Sequence, residues 1–287
     1  MNRNLTIDEV RNQIKQSLKG LYDANEIRNF TDLVFQHLLN YSKIELRLRG
    51  HELISTQFTE KIEEIINRLS VSEPIQYILG KTFFYDLSLE VSPGVMIPRP
   101  ETEELVDWII QDSVGKEFSI LDIGTGSGCI ALALSKNLPL ATVTGVDISE
   151  EALETARKNA ALNHADIRFF RFDLLKRSPE LADRFEIIVS NPPYVRESEK
   201  KFMQSNVLDY EPPQALFVPD EDPLMFYKAI ADLGNTILTE NGCVYCEINE
   251  ALPEETAGVF QGSNYRKTEI RKDINNRPRM IKAVKKR

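Results

Sequence analysis

The sequence predicts an α/β protein, a mostly parallel sheet covered by helices on both faces, preceded by a small helical unit and a β-hairpin. Three observations carry this: helical periods follow one another before residue 80, the period drops to two at Phe83, and apolar strand-like runs alternate with helical ones after Pro100. In the helical part, Thr6 with Glu9 forms a capping box for a helix ending at Gly20, and Asp23 with Glu26 opens a second helix reaching about Asn40. A short segment over 42–50 and a helix from about Thr56 to Leu69 follow. Phe83-Phe84-Tyr85 and Leu87-Ser88-Leu89-Glu90-Val91 flank a turn, the pattern of a hairpin. Beyond Pro100 the expected strands are 120–123, 142–146, 167–172 and 186–189, then 242–248, 265–271 and 280–284, with helices from Cys129 and Glu150. Three regions are expected: a helical domain over 1–75, a hairpin linker over 76–100 and an α/β domain over 101–287.

With 287 residues, 42% hydrophobic and 28% charged, the chain can bury one large core or one core plus a small second domain. The formal net charge of -9 argues against a surface that grips nucleic acid through phosphates, which needs clustered Lys and Arg. Lys282, Lys285, Lys286 and Arg287 are read as a solvated tail rather than a basic patch. Cys129, Cys243 and Cys246 give no even disulfide framework, and strand alternation points Cys243 and Cys246 to opposite faces, so no metal site is expected. Met1-Asn2-Arg3-Asn4 leads into an amphipathic helix without an apolar signal run, and no stretch reaches membrane-spanning length, which makes the cytoplasm the expected location.

Gly124-Thr125-Gly126-Ser127-Gly128 stands directly after an apolar strand and before a helix, where glycines let the backbone pass close to a ligand and the helix N-terminus offers free N–H groups. The G-x-G-x-G spacing differs from the G-x-G-x-x-G of dinucleotide sites. Asp147 ends the next strand, where a carboxylate can accept hydrogen bonds from both ribose hydroxyls of a nucleoside; it can also cap the following helix. Asp173, after the third strand, either addresses an adenine or caps a turn. Asn191-Pro192-Pro193-Tyr194 follows the fourth strand. Two prolines fix φ and remove two donors, so the loop is rich in acceptors. The Asn191 side-chain oxygen and the Pro192 carbonyl can take the two protons of a planar NH2 group and stabilise the positive charge that develops when its nitrogen is alkylated, with Tyr194 as an aromatic wall.

With these motifs, the chain resembles the release-factor glutamine methyltransferases over nearly its whole length. The resemblance also rests on Glu73-Pro74-Ile75-Gln76-Tyr77-Ile78-Leu79-Gly80, on Ile97-Pro98-Arg99-Pro100-Glu101-Thr102-Glu103 and on Tyr210-Glu211-Pro212-Pro213-Gln214-Ala215-Leu216. It implies a Rossmann-like methyltransferase sheet of seven strands that binds S-adenosyl-L-methionine, and a helical domain that helps hold the substrate. That substrate is a class I peptide chain release factor, methylated on the glutamine of its Gly-Gly-Gln motif by a monomeric enzyme without direct nucleic-acid contact. Asn191, Pro192 and Tyr194 are then the catalytic residues, Asn191 to Tyr194 including Pro193 the substrate site, and Gly124 to Gly128, Asp147, Asp173, Leu174 and Asn191 the cofactor site. The chain departs from the family pattern at Val218 to Leu224, at Asp273 to Arg279, which lacks the common glycine, and at Leu174, where some relatives place a tryptophan near the adenine. A nucleic-acid base methyltransferase using the same clamp, a nicotinamide-dependent oxidoreductase and a silent binding module are the competing readings.

Overall fold

A computed structural model describes residues 5–176, 181 and 183–287; the expectation for Met1-Asn2-Arg3-Asn4 lies outside the described residues. The chain divides into two units. The first holds the described residues up to Gly80 together with Ser205–Tyr210, and the second holds Lys81–Gln204 and Glu211–Arg287.

The first unit contains α1 (Ile7–Leu18), α2 (Ala24–Leu39), α3 (Lys43–Leu48), α4 (Thr56–Ser70) and α5 (Ile75–Leu79). The capping box of α1 is present in both directions: Glu9 N–H donates to Thr6 Oγ1 at 3.2 Å and Thr6 N–H to Glu9 Oε2 at 2.8 Å. Asp23 caps α2 by accepting from the Asn25 and Glu26 amides. Ser42 and Glu45 form a second capping box, which turns the short segment after α2 into α3. Apolar side chains one turn apart, Ile7, Val10, Ile14 and Leu18 of α1 and Ile62, Ile65, Ile66 and Leu69 of α4, build the core of this unit. α5 was not legible as a helix because five residues carry too little periodicity, and Gly80, at φ +67°, ends it in the left-handed region.

The second unit opens with the hairpin β1 (Lys81–Phe84) and β2 (Leu87–Glu90), whose turn places Tyr85 and Asp86 at positive φ. After α6 (Pro100–Ser113) come β3 (Ser119–Ile123), α7 (Cys129–Asn137), β4 (Thr142–Asp147), α8 (Glu150–Leu162), β5 (Arg168–Arg171) and β6 (Phe185–Ser190). β7 (Val195–Arg196), α9 (Ser205–Leu208), which belongs to the first unit, and β8 (Phe217–Val218) lie between β6 and α10 (Met225–Ile237); β9 (Leu238–Glu247), α11 (Pro253–Gln261), β10 (Tyr265–Lys272) and β11 (Pro278–Lys285) complete the chain. The sheet has seven strands in the order β10-β11-β9-β6-β3-β4-β5, and β11 pairs antiparallel on both sides. Its two faces carry separate cores, one around Trp108, Leu132 and Tyr245, the other around Ile188, Tyr227 and Phe260. Cys243 packs against the first and Cys246 lies in the second, so the two thiols do stand on opposite faces.

One reading of the C-terminal region needs correction. Lys282 and Lys285 are not part of a solvated tail: both lie in β11, where the Lys282 ammonium pairs with Asp112 at 2.6 Å and Lys285 donates to the Asn235 and Leu238 carbonyls. The lysine stems run along the sheet, and pairing in β11 holds their heads on specific acceptors. Between β10 and β11, Asn276 adopts φ +62°, a left-handed conformation that asparagine tolerates.

Candidate active site

The chain runs from β3 to β4 to β5 in one direction and then returns to place β6 on the other side of β3. Open α/β sheets bind ligands at the carboxyl ends of the strands that flank such a switch. There β3 delivers Gly124 to Gly128, β4 delivers Asp147, β5 leads to Asp173 and Leu174, and β6 leads to Asn191 to Tyr194. A cavity of about 260 Å³ lies among them. Gly124, Thr125, Gly126, Ser127, Asp147, Asp173, Leu174, Asn191, Pro192 and Pro193 line it; Gly128 and Tyr194 do not.

One wall is backbone. Gly124, Gly126 and Gly128 take φ of +71°, +56° and +81°, which a side chain would strain, and the loop they form folds against the end of β4. The Gly124 and Thr125 amides donate to the Val146 carbonyl, and Gly126 N–H donates to Asp147 Oδ2 at 2.9 Å. Asp147 Oδ1 accepts from Ser149 N–H at 2.9 Å. Each Asp147 oxygen thus holds a backbone amide at 2.9 Å, and the carboxylate keeps lone-pair capacity for a ligand hydroxyl. Burial raises its pKa above the ordinary carboxylate value, against which the Ser149, Gly126 and Ile148 amides work. Ser127 Oγ is buried in the same wall with no hydrogen bond of normal geometry among the described residues, beyond an approach to the Cys129 thiol. Ile148, Ala152, Phe172 and Leu174 make the rest of this side apolar. A carboxylate at a strand end, glycine backbone, a spare hydroxyl and an apolar slot fit a nucleoside that carries a polar extension. Asp173 has the turn-capping geometry as well as its place in the wall, since its Oδ1 accepts from Leu175 and Lys176 amides.

The other wall is held by side chains from distant elements. Asn191 Nδ2 donates to Thr102 Oγ1 at 3.3 Å, and Thr102 donates in turn to Glu247 Oε2 at 2.6 Å. The Tyr194 hydroxyl donates to Glu247 Oε1 at 2.7 Å, and Asn249 Nδ2 donates to the Tyr194 carbonyl at 3.0 Å. The Tyr194 ring packs against the Tyr227 face of the core instead of forming a wall for a planar ligand group. Burial together with the Glu247 charge keeps its phenol far above the ordinary range, so it stays neutral.

Three positions that hold the walls of the cavity were not identified from sequence. Thr102 and Glu247 were visible only as a family motif residue and a strand residue, because their partners lie far along the chain. Asp122, completely buried at the end of β3, takes the Thr125 hydroxyl on Oδ2 at 2.6 Å and faces the Ala131 amide at the start of α7; desolvation pushes its pKa up to about 7. Its place two residues before the glycine loop was the available signal. The Ile97 to Glu103 segment is likewise built from distant ties: Glu211, almost wholly buried, accepts from Ile97 N–H and pairs with Arg99, while Glu103 accepts from Tyr85 N–H.

A seven-stranded sheet with one antiparallel strand, a glycine loop after its central strand and this cavity at the switch point define a methyltransferase of the Rossmann-like class. Residues 102–210 match the family model of the methyltransferase small domain, and residues 9–80 match that of the PrmC N-terminal domain. The chain is 44% identical to the release factor glutamine methyltransferase of Flavobacterium psychrophilum over 97% of its own length and 99% of that protein's. It is 44% identical to that of Bacteroides thetaiotaomicron, covering 94% and 97% of the two chains. The chain belongs to the release factor glutamine methyltransferase family. Among solved structures, it shares its fold with a methyltransferase from Pyrococcus furiosus, with a TM-score of 0.53 and 18% identity over 81% of this chain and 100% of that one. A Thermus thermophilus 16S rRNA methyltransferase, solved with AdoMet and guanosine, gives a TM-score of 0.52 at 17% identity over 72% and 50% of the respective chains.

Proposed function

We propose that this chain transfers a methyl group from S-adenosylmethionine to the side-chain amide nitrogen of the glutamine in the Gly-Gly-Gln motif of peptide chain release factors. The observation that carries the proposal is the single cavity lined on one side by Asp147 and the glycine loop and on the other by Asn191, Pro192 and Pro193. When bound, the donor would supply an electrophilic methyl group.

The chain's own residues do the rest. Asp147 would take the ribose hydroxyls, Gly124 to Ser127 would hold the polar extension, and Leu174 and Asp173 would border the base. An amide nitrogen is a poor nucleophile because its lone pair is delocalised. Asn191 Oδ1 and the Pro192 carbonyl accept its two N–H groups, turn the lone pair toward the methyl and offset the positive charge that grows on the nitrogen. Once methylated, the nitrogen is far more acidic, and its proton leaves to water without a dedicated base. Tyr194 and Pro193 fix the loop. The helical unit docks the body of a class I release factor, which works on the ribosome and so places the enzyme, as a monomer without nucleic-acid contacts of its own, in the cytoplasm. Among the described residues, no helix is long and apolar enough to cross a membrane.

Incubation with S-adenosylmethionine and a purified release factor should add one methyl group to the Gly-Gly-Gln peptide in a tryptic digest. An unmodified glutamine, or a methyl group on added RNA or DNA instead, would overturn the reading.

A further inference from the structure

Glu247, at the end of β9, is a completely buried carboxylate that does not line the cavity. Both of its oxygens are taken by hydroxyl donors, Thr102 on Oε2 and Tyr194 on Oε1. Burial, aided by the Glu101 charge, raises the Glu247 pKa above the ordinary carboxylate value, and the Thr102 and Tyr194 hydroxyls and the Arg279 charge work against that rise.

This arrangement has a directional consequence. A hydroxyl carries one proton. Thr102, only 2% exposed, gives its proton to Glu247 and can therefore meet Asn191 only as an acceptor. Asn191 must then turn its NH2 toward Thr102, which leaves Oδ1 as the carboxamide atom available to the cavity. A free asparagine carboxamide rotates about its last bond and shows either atom. An exposed NH2 would repel the NH2 of a substrate amide and welcome a carboxylate, whereas an exposed oxygen does the reverse.

We propose that Glu247 and Thr102 are positioning residues that lock the Asn191 carboxamide with Oδ1 toward the acceptor, so that the site takes glutamine and rejects glutamate. This rests on the amide-acceptor reading given above. The lock acts on both ends of the loop, because the carboxylate that polarises Thr102 also holds the Tyr194 hydroxyl.

The test uses full-length Thr102→Val, which keeps the shape and removes the hydroxyl, Thr102→Ser, which restores it, and Glu247→Gln, whose NH2 would face one of the two hydroxyls. Thr102→Val and Glu247→Gln should lower kcat on the Gly-Gly-Gln peptide roughly tenfold, the scale of losing one preorganised polar contact, with donor affinity unchanged. They should also bind a Gly-Gly-Glu peptide more tightly as a competitive inhibitor than the wild type does, and Thr102→Ser should return both measures most of the way. A residue that only supported the fold would not change the preference for glutamine over glutamate. Unchanged discrimination in Thr102→Val overturns the proposal, whatever happens to its melting temperature. An independent readout needs no turnover: the Asn191 side-chain NH2 signals in NMR, assigned by their loss in Asn191→Ala, should exchange slowly in the wild type and Thr102→Ser and rapidly in Thr102→Val. Equal exchange in all three would also overturn it. A wild-type protein that fails to methylate any release factor would sink the function reading alone, and the NH2 exchange would still decide the orientation of Asn191.

Discussion

The loop of Gly124 to Gly128 and the loop of Asn191 to Tyr194 leave neighbouring strands of one sheet and face one cavity, yet they are held in opposite ways. The first is shaped by its own backbone: left-handed glycines and amides that bond to Val146 and Asp147 at the end of the adjacent strand. The second has its prolines for stiffness but takes its orientation from Thr102, Glu247 and Asn249. A donor that is the same in every turnover can be met by fixed backbone. Discrimination among acceptor groups that differ by one NH2 needs side chains whose polarity is set by their neighbours.

The sharpest way to separate the two loops is Asn191→Ala, which should lower the single-turnover rate by about 10² to 10³ while S-adenosylmethionine binds nearly as before, since one preorganised acceptor at the reacting nitrogen is lost. Wild-type rates would shift the role to the Pro192 carbonyl. Asp122 tests the glycine side. With its folded pKa raised to about 7 from an ordinary carboxylate value, the folded state holds its proton where the unfolded chain has lost it, so stability is fully present below the ordinary value and falls as pH rises toward 7. Asp122→Asn should flatten that slope and be the more stable form above pH 7, by an amount on the order of a few kcal/mol at roughly 1.4 kcal/mol per unit. Parallel denaturation curves for the two proteins between pH 4 and 8 would place the Asp122 carboxyl in an ordinary environment.

Asp147→Ala should weaken S-adenosylmethionine binding at least about tenfold in calorimetry, because hydrogen bonds to a charged group contribute roughly 1.5 to 3 kcal/mol each. It should leave kcat at saturating donor far less affected than Asn191→Ala does; an equal loss of kcat would erase the division of labour between the loops. The smallest effect is expected from Gly126→Ala. Nothing lies within 4 Å of the added methyl, so only the left-handed backbone is penalised, by about 1 kcal/mol of stability. A much larger loss would mean that the loop tolerates no backbone adjustment at all.

Much of the glycine-loop wall of the cavity was legible because its parts are adjacent in sequence to strand ends: an apolar run followed by glycines, and a strand that ends in Asp147. Strand positions were legible too, although β9 begins at Leu238, before the expected 242, because β6 pairs with it from Phe185 onward. Asn191 could be read as an acceptor from its own motif. The direction in which its carboxamide points could not, since Thr102 lies 89 residues from Asn191 and 145 from Glu247. Tyr194 was expected to form a wall because a sequence cannot say which face of a loop an aromatic ring turns to. Its hydroxyl found Glu247, 53 residues on, and the ring followed it into the core. By itself, then, the sequence determined the α/β alternation, the order of the motifs and the chemical groups that reach the edge of the sheet, all of which depend on local periodicity and turn chemistry. Only the tertiary structure decided which buried carboxylate meets which hydroxyl and which atom of the Asn191 carboxamide bonds to Thr102, because hydrogen-bond direction in a core is set by partners that meet only when distant strands and helices pack.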